Sequence, residues 1–351
     1  MAEINYEKIN NYLNDLFSYL YPLDQFLLDN FKTIILINKQ INQLLKEYDF
    51  ADRTQEFLTF EDVYLKAREC VSYINEEYLE LFDSMISDGT LNFDYECPNG
   101  RSTSLCIYLS NQNIFKTEIN LSMSFSYCDV INLVHEFFHI VNGKVKEKSI
   151  NRYILGEFIS IYFELKAIEY IENKEKINIH YCYKKRFENT SLLSSRFSIY
   201  SIPLFLFENN GSVTENGDEF ITQYLFPIEK KEYKKYCRSV LNNLEYYKNK
   251  YMNSLGLEEK YNHKTYLDKI GRIYAIDYHY ILGTILAFYA KENVSIEKMK
   301  WLNEHINDDA IGNMNIIDVL KYLNIDIEDI NFIDEVLKLF NKEIKEYVKK
   351  R

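Results

Sequence analysis

Chain punctuation is scarce in this sequence: its 351 residues include only ten Gly and four Pro. Gly supplies the positive φ, and Pro the fixed φ, on which tight turns depend, so a fold built from many short strands is excluded and long helices are favoured. Basic residues are outnumbered too, with 41 Lys and Arg against 53 Asp and Glu, for a formal net charge of −12. A phosphate backbone or an anionic lipid surface would repel such a chain, so neither nucleic acid nor membrane is expected as a partner. Long apolar runs are absent. The longest, around Ile202 to Phe207, falls far short of the ~20 residues that span a bilayer. Residues Met1 to Phe26 carry Asp and Glu among their apolar positions, unlike a secretory signal. The six Cys (Cys70, Cys97, Cys106, Cys128, Cys182, Cys237) show no paired metal-ligand spacing, which reads as reduced core thiols in a cytoplasmic protein.

What is present is helical periodicity. It predicts helices over 5–47 and 60–89, the latter capped by Thr59 ahead of Glu61 and Asp62, and again over 128–143, 149–173, 181–207, 217–224, 228–254, 262–291, 295–306, 315–323 and 329–349. Between these blocks the texture changes. Asn92–Tyr95, Thr103–Leu109 and Thr117–Ser124 are β-prone and are separated by Pro98-Asn99-Gly100 and Asn111-Gln112-Asn113, so a small antiparallel sheet is expected. The fold class is therefore mainly α, of the α+β kind. A helical N-terminal lobe over 1–90 is expected to lead into a unit over 91–351, the two forming one continuous body.

The chemistry is concentrated in His135-Glu136-Phe137-Phe138-His139. Residues four apart share a helical face, so both imidazoles point the same way with Glu136 beside them, the arrangement of a zinc site with a built-in base. Two His are one ligand short of the three protein ligands that a catalytic zinc usually takes. The apolar run from Ile154 to Leu165 contains two acidic candidates, Glu157 and Glu164, seven residues and hence two turns apart on one face. Either can be the third ligand while the other orients a ligand from behind. An unpaired carboxylate among Phe158, Ile159, Ile161, Tyr162 and Phe163 would be costly, which gives both a reason to be partnered.

Asp129 to Val134 leading into the His pair, then Glu157-Phe158-Ile159-Ser160 and Glu164, resemble the thimet oligopeptidase and oligoendopeptidase F family of zinc metallopeptidases. Tyr278-His279-Tyr280-Ile281-Leu282-Gly283 resembles the Tyr-x-Tyr-x-x-Gly segment of the oligoendopeptidase F branch, and Ile316 to Asp326 is similar to that branch's closing helix and turn. The resemblance covers roughly residues 91 to 351. It implies a helical zinc-peptidase fold with the catalytic domain in that span, one Zn(2+) per chain, His135, His139 and Glu157 as metal ligands, Glu136 as base, and Glu164 as the second acidic residue or alternative ligand. It also implies a catalytic Tyr, at Tyr280 or Tyr278, and an edge strand that holds extended substrate.

The family's small residue before the second His is Phe138 here, and its further His one turn on is Asn142. The family's transition-state His has no match near Asp268 to Gly271; the alternatives are that His263 or His279 substitutes for it, or that the Tyr residues act alone. The connection from His139 to Glu157 is shorter than the family's, so spacing favours Glu164 as ligand and local sequence favours Glu157, the choice adopted here because loops change length more easily than a ligand changes its neighbours. The expected function is a zinc-dependent oligopeptidase that hydrolyses short unfolded peptides, with zinc-bound water activated by Glu136 and the oxyanion met by a Tyr hydroxyl. The alternative is a catalytically degenerate peptidase-fold protein that binds peptide or zinc without turnover. His180 and His305, among polar neighbours, are expected at the surface, and most of the 31 Tyr are expected to be packing residues.

Overall fold

Thr59 opens the first described helix. In the computed structural model the described residues are 57–94, 102–109, 112, 114–143, 150–179, 181–182, 280, 282–308 and most of 311–349. All of them belong to one of the two compact units into which the chain divides, residues 43–189 with 279–351; the other unit comprises residues 1–42 with 190–278. The helices expected over 5–47, 217–224 and 228–254, and most of those over 181–207 and 262–291, lie outside the described residues.

Helix α1 (Phe60–Ile74) starts where its cap predicts. The Thr59 hydroxyl accepts from the Asp62 amide at 3.1 Å and the Asp62 carboxylate accepts from the Thr59 amide at 2.8 Å, a reciprocal box that satisfies two otherwise orphaned donors. The expected single helix over 60–89 is interrupted at Asn75. Its backbone is extended there and its side chain caps a short 3-10 turn (Glu76–Tyr78) that leads into α2 (Leu79–Ser87).

The sheet follows as β1 (Leu91–Asp94), β2 (Thr103–Leu109) and β3 (Ile114–Ser122), in the spatial order β1-β3-β2. It is mixed, which corrects the purely antiparallel arrangement expected. β2 and β3 form the antiparallel pair, Ser104 opposite Ile119, whereas β1 runs parallel to β3 with Leu91 opposite Ile119. The short connection between β2 and β3 obliges them to pair antiparallel, and β1, running opposite to β2, then meets the remaining edge of β3 in the parallel sense. Among the described residues β2 is therefore an edge strand.

Two helices behind the sheet form the core: α3 (Tyr127–Asn142) and α4 (Ile150–Glu175). α3 is fixed at both ends. At its start the Ser126 hydroxyl caps the helix while Asp129 accepts from the Ser126 amide at 3.2 Å. At its end the Gly143 amide donates to the His139 carbonyl at 2.8 Å, and a Cβ there would stand 2.9 Å from Cys106 Cβ on β2. α4 buries residues on every side, Ile154, Phe158, Ile161 and Leu165 among them, as a helix at the centre of a layered core does.

The other described helices of the unit are α5 (helical over 282–293, the described end of the helix expected over 262–291), α6 (Ile296–His305), α7 (Ile316–Tyr322) and α8 (Phe332–Lys349), the last three close to their predicted spans. The fold is thus mainly helical with one small sheet, as expected. Of the described Cys, Cys70, Cys106 and Cys182 are buried and Cys128 is half-buried, all as free thiols. Burial pushes the Cys182 thiol well above the usual range, reinforced by its contact with Cys128. No described helix is long and apolar enough to cross a membrane.

Candidate functional site

The one-turn spacing on α3 turns both imidazoles to the same point. The His135 and His139 rings stand edge to face with centroids 4.5 Å apart, and their Nε2 atoms are 2.9 Å apart. Glu157 on α4 reaches the same point, Oε1 lying 3.0 Å from His139 Nε2 and Oε2 3.7 Å from His135 Nε2. Among the described residues, these three form the one group of His, Cys, Asp or Glu whose potential ligand atoms all lie within 4.8 Å of one another. His135 and Glu157 are each only 4% exposed, whereas the His139 side chain keeps 21% of its surface, so the point is approached from the His139 side.

α4 also reaches around to the outer nitrogens. Glu164 Oε2 lies 3.1 Å from His135 Nδ1, and the Ser160 hydroxyl lies 3.3 Å from His139 Nδ1. One face of α4, carrying positions 157, 160 and 164, thereby meets both ring nitrogens of each His on α3. The Glu164 carboxylate faces His135 Nδ1 without a hydrogen bond between them, and the Ser160 hydroxyl can donate to His139 Nδ1 or accept from it, so these outer contacts set the direction of the two rings. The structure accordingly sets Glu157 at the inner nitrogens and Glu164 behind them.

Glu136 projects beside the pair and is 9% exposed. The Ser104 hydroxyl of β2 donates to its Oε2 at 2.7 Å. Ser104 and Cys106 alternate onto the same face of β2, so the edge strand is laid along α3 with Ser104 at Glu136 and Cys106 at Gly143. Ser104 and Ser160 were not anticipated from sequence. Ser160 shares a helical face with Glu157 and Glu164 and carried a readable signal; Ser104 carried none, because its partner is brought to it by tertiary packing alone.

Tyr280 is helical and half-buried, and its carbonyl accepts from the Thr284 hydroxyl at 2.7 Å. It stands one turn before Gly283, the point where α5 touches the Glu157 turn of α4. Tyr278, His180, His263 and His279 lie outside the described residues. His305 is half-buried, its ring stacked on Trp301. Phe138 turns away from the site into an aromatic cluster, with ring centroids 4.3 Å from Phe163 and 5.4 Å from Phe137, so the core accommodates the large residue. Asn142 is 7% exposed, and its amide meets no hydrogen-bond partner among the described residues.

Two imidazole nitrogens and a carboxylate oxygen are the N and O donors that zinc accepts, and three such ligands leave a fourth position open. Burying two carboxylates beside two His also calls for a cation to offset their charge. The donor set therefore fits a zinc ion, with His135, His139 and Glu157 able to hold it.

No family model matches the chain, and no curated protein matches it in sequence. Among solved structures, PZ peptidase A with inhibitor 2 aligns with a TM-score of 0.54 over 89% of this chain and 56% of its own, at 12% identity. This chain has the fold of PZ peptidase A. A candidate oligoendopeptidase F from Bacillus anthracis str. Ames also aligns, with a TM-score of 0.47 and 14% identity over 98% of this chain and 57% of that one. A candidate peptidase from Chlamydophila abortus gives 0.49 and 16% over 95% and 57%. The chain spans little more than half the length of each of these proteins, 56% to 57%.

Proposed function

We propose that this protein is a zinc-dependent oligopeptidase that hydrolyses short unfolded peptides. The observation that carries the reading is the convergence of His135, His139 and Glu157 on one buried point with Glu136 alongside, in a chain with the fold of a peptidase. His135, His139 and Glu157 would hold one zinc per chain. Zinc, when bound, supplies a Lewis acid that polarises a carbonyl and brings the pKa of water toward neutrality.

The remaining steps belong to the chain. Glu136, with one oxygen steadied by Ser104, accepts a proton from the attacking water and delivers it to the leaving amine. Glu164 and Ser160 keep the imidazoles directed inward. Tyr280, by its likeness to the Tyr of the family segment, donates its hydroxyl to the developing oxyanion, with Tyr278 as the competing donor. β2, an edge strand whose Ser104 already touches the base, offers backbone groups to an extended peptide, a mode of recognition that tolerates varied sequences. A cytoplasmic location agrees with the free thiols.

Metal analysis beside hydrolysis of short peptides, before and after chelation and zinc re-addition, tests the reading. Stoichiometric zinc with chelator-sensitive cleavage is expected. Cleavage that persists without metal would overturn it, and bound zinc without cleavage of any peptide would make this a binding protein on a peptidase fold.

A further inference from the structure

We propose that Gly283 is a positioning residue for the metal site, a place where a side chain must stay absent so that Glu157 can reach the two imidazoles. The inference rests on the zinc reading above. A Cβ at Gly283 would lie 2.8 Å from Glu157 Cβ, 3.0 Å from the Phe158 amide nitrogen and 3.2 Å from the Glu157 carbonyl carbon. The first of these is closer than Cβ atoms are found to pack, and the other two are to backbone, which cannot swing aside as a rotamer can. Gly156, the residue before Glu157, provides the contrast: a Cβ there would meet nothing within 4 Å among the described residues. α5 and α4 thus come into backbone contact at the turn that carries Glu157.

The rest of α5 has little freedom to absorb an added methyl. Leu282, Ile285 and Leu286 are buried. Its far end is tied to α4 by Tyr162 Oη donating to the Val294 carbonyl at 3.1 Å, by Lys166 Nζ donating to the Lys291 carbonyl at 3.0 Å, and by Lys291 Nζ beside Glu169 Oε1 at 3.2 Å. Lys291 Nζ also binds Glu343 Oε1 of α8 at 2.5 Å. With that end pinned, the displacement forced by a side chain at 283 falls on the near end of α5 and on the Glu157 turn. Glu157 would be drawn off the imidazole nitrogens, and Tyr280, one turn before Gly283, would shift with it.

The test compares wild type, Gly283→Ala and Gly156→Ala by thermal unfolding without and with zinc, and by zinc competition with a chromophoric chelator. A group that binds only the folded state raises Tm by an amount that grows with the logarithm of its affinity, whereas simple loss of packing lowers the zinc-free and zinc-loaded Tm together. Gly283→Ala is expected to shrink the zinc-dependent rise in Tm and to weaken zinc binding by about 10 to 100-fold, the scale of losing a ligand's support. Gly156→Ala is expected to keep the wild-type values of both. A folded Gly283→Ala with the wild-type rise and affinity would overturn the proposal, while a wild type that shows no zinc-dependent rise would overturn the zinc reading instead. If Gly283→Ala does not fold, the double variant Gly283→Ala/Glu157→Gly removes the nearest clashing atom while keeping the two backbone contacts at 3.0 and 3.2 Å, and is expected to regain a folded state; a double variant as unfolded as the single would place the clash on backbone rather than on the Glu157 side chain and overturn the proposal.

Discussion

Replacing Glu164 separates the carboxylate behind the imidazoles from the one in front of them. Glu164 Oε2 is 3.1 Å from His135 Nδ1, whereas Glu157 Oε1 is 3.0 Å from His139 Nε2. Glu164→Gln keeps the shape and an oxygen facing Nδ1 but removes the charge that makes the imidazole a better donor. Glu164→Ala removes both and leaves a buried N–H to find water. Loss of such an outer partner typically weakens metal binding by about 10 to 100-fold, or about 1.4 to 2.7 kcal/mol, with Gln expected at the lower end and Ala at the upper. Glu157→Ala deletes one of three ligands and is expected to exceed that range. Competition with a chromophoric chelator measures all three, at one fixed pH because protons compete with zinc for His. A larger loss for Glu164→Ala than for Glu157→Ala would refute the geometric argument and exchange the two roles; equal losses would refute the division of labour itself.

Glu136→Gln is expected to retain zinc and lose nearly all hydrolysis, since the amide preserves shape but accepts no proton; activity within a few-fold of wild type would remove Glu136 from the mechanism. Tyr280→Phe is expected to lower turnover by about 100 to 1,000-fold with zinc content and folding intact, and Tyr278→Phe to do less; the same loss at Tyr278 alone would transfer the role there. Phe138→Ala, which empties the centre of the aromatic cluster against Phe163, is expected to cost about 3 to 5 kcal/mol in denaturant unfolding of the zinc-free protein. A cost under about 1 kcal/mol, the range of surface substitutions, would show that this side chain is not packed as described.

Local periodicity alone determined that α3 presents His135, Glu136 and His139 together, because that relation spans a single turn and helical geometry fixes it. The same holds for the Thr59 cap and the mainly helical class, which follow from capping chemistry and from the scarcity of Gly and Pro. The 60–89 helix was misread across Asn75, where a side chain that caps the next turn overrides helix propensity. Other relations depend on where distant segments cross, and no sequence pattern encodes a crossing. Glu157 and Glu164 share one helical face, and from sequence the spacing favours Glu164 while the neighbouring residues favour Glu157; the offset between α3 and α4 sets Glu157 at the inner nitrogens and Glu164 at an outer one. The parallel entry of β1, the Ser104 hydroxyl on Glu136 and the backbone contact between Gly283 and Glu157 are of the same kind. Each joins segments whose approach is decided by packing of the whole core, so only the tertiary structure could supply them.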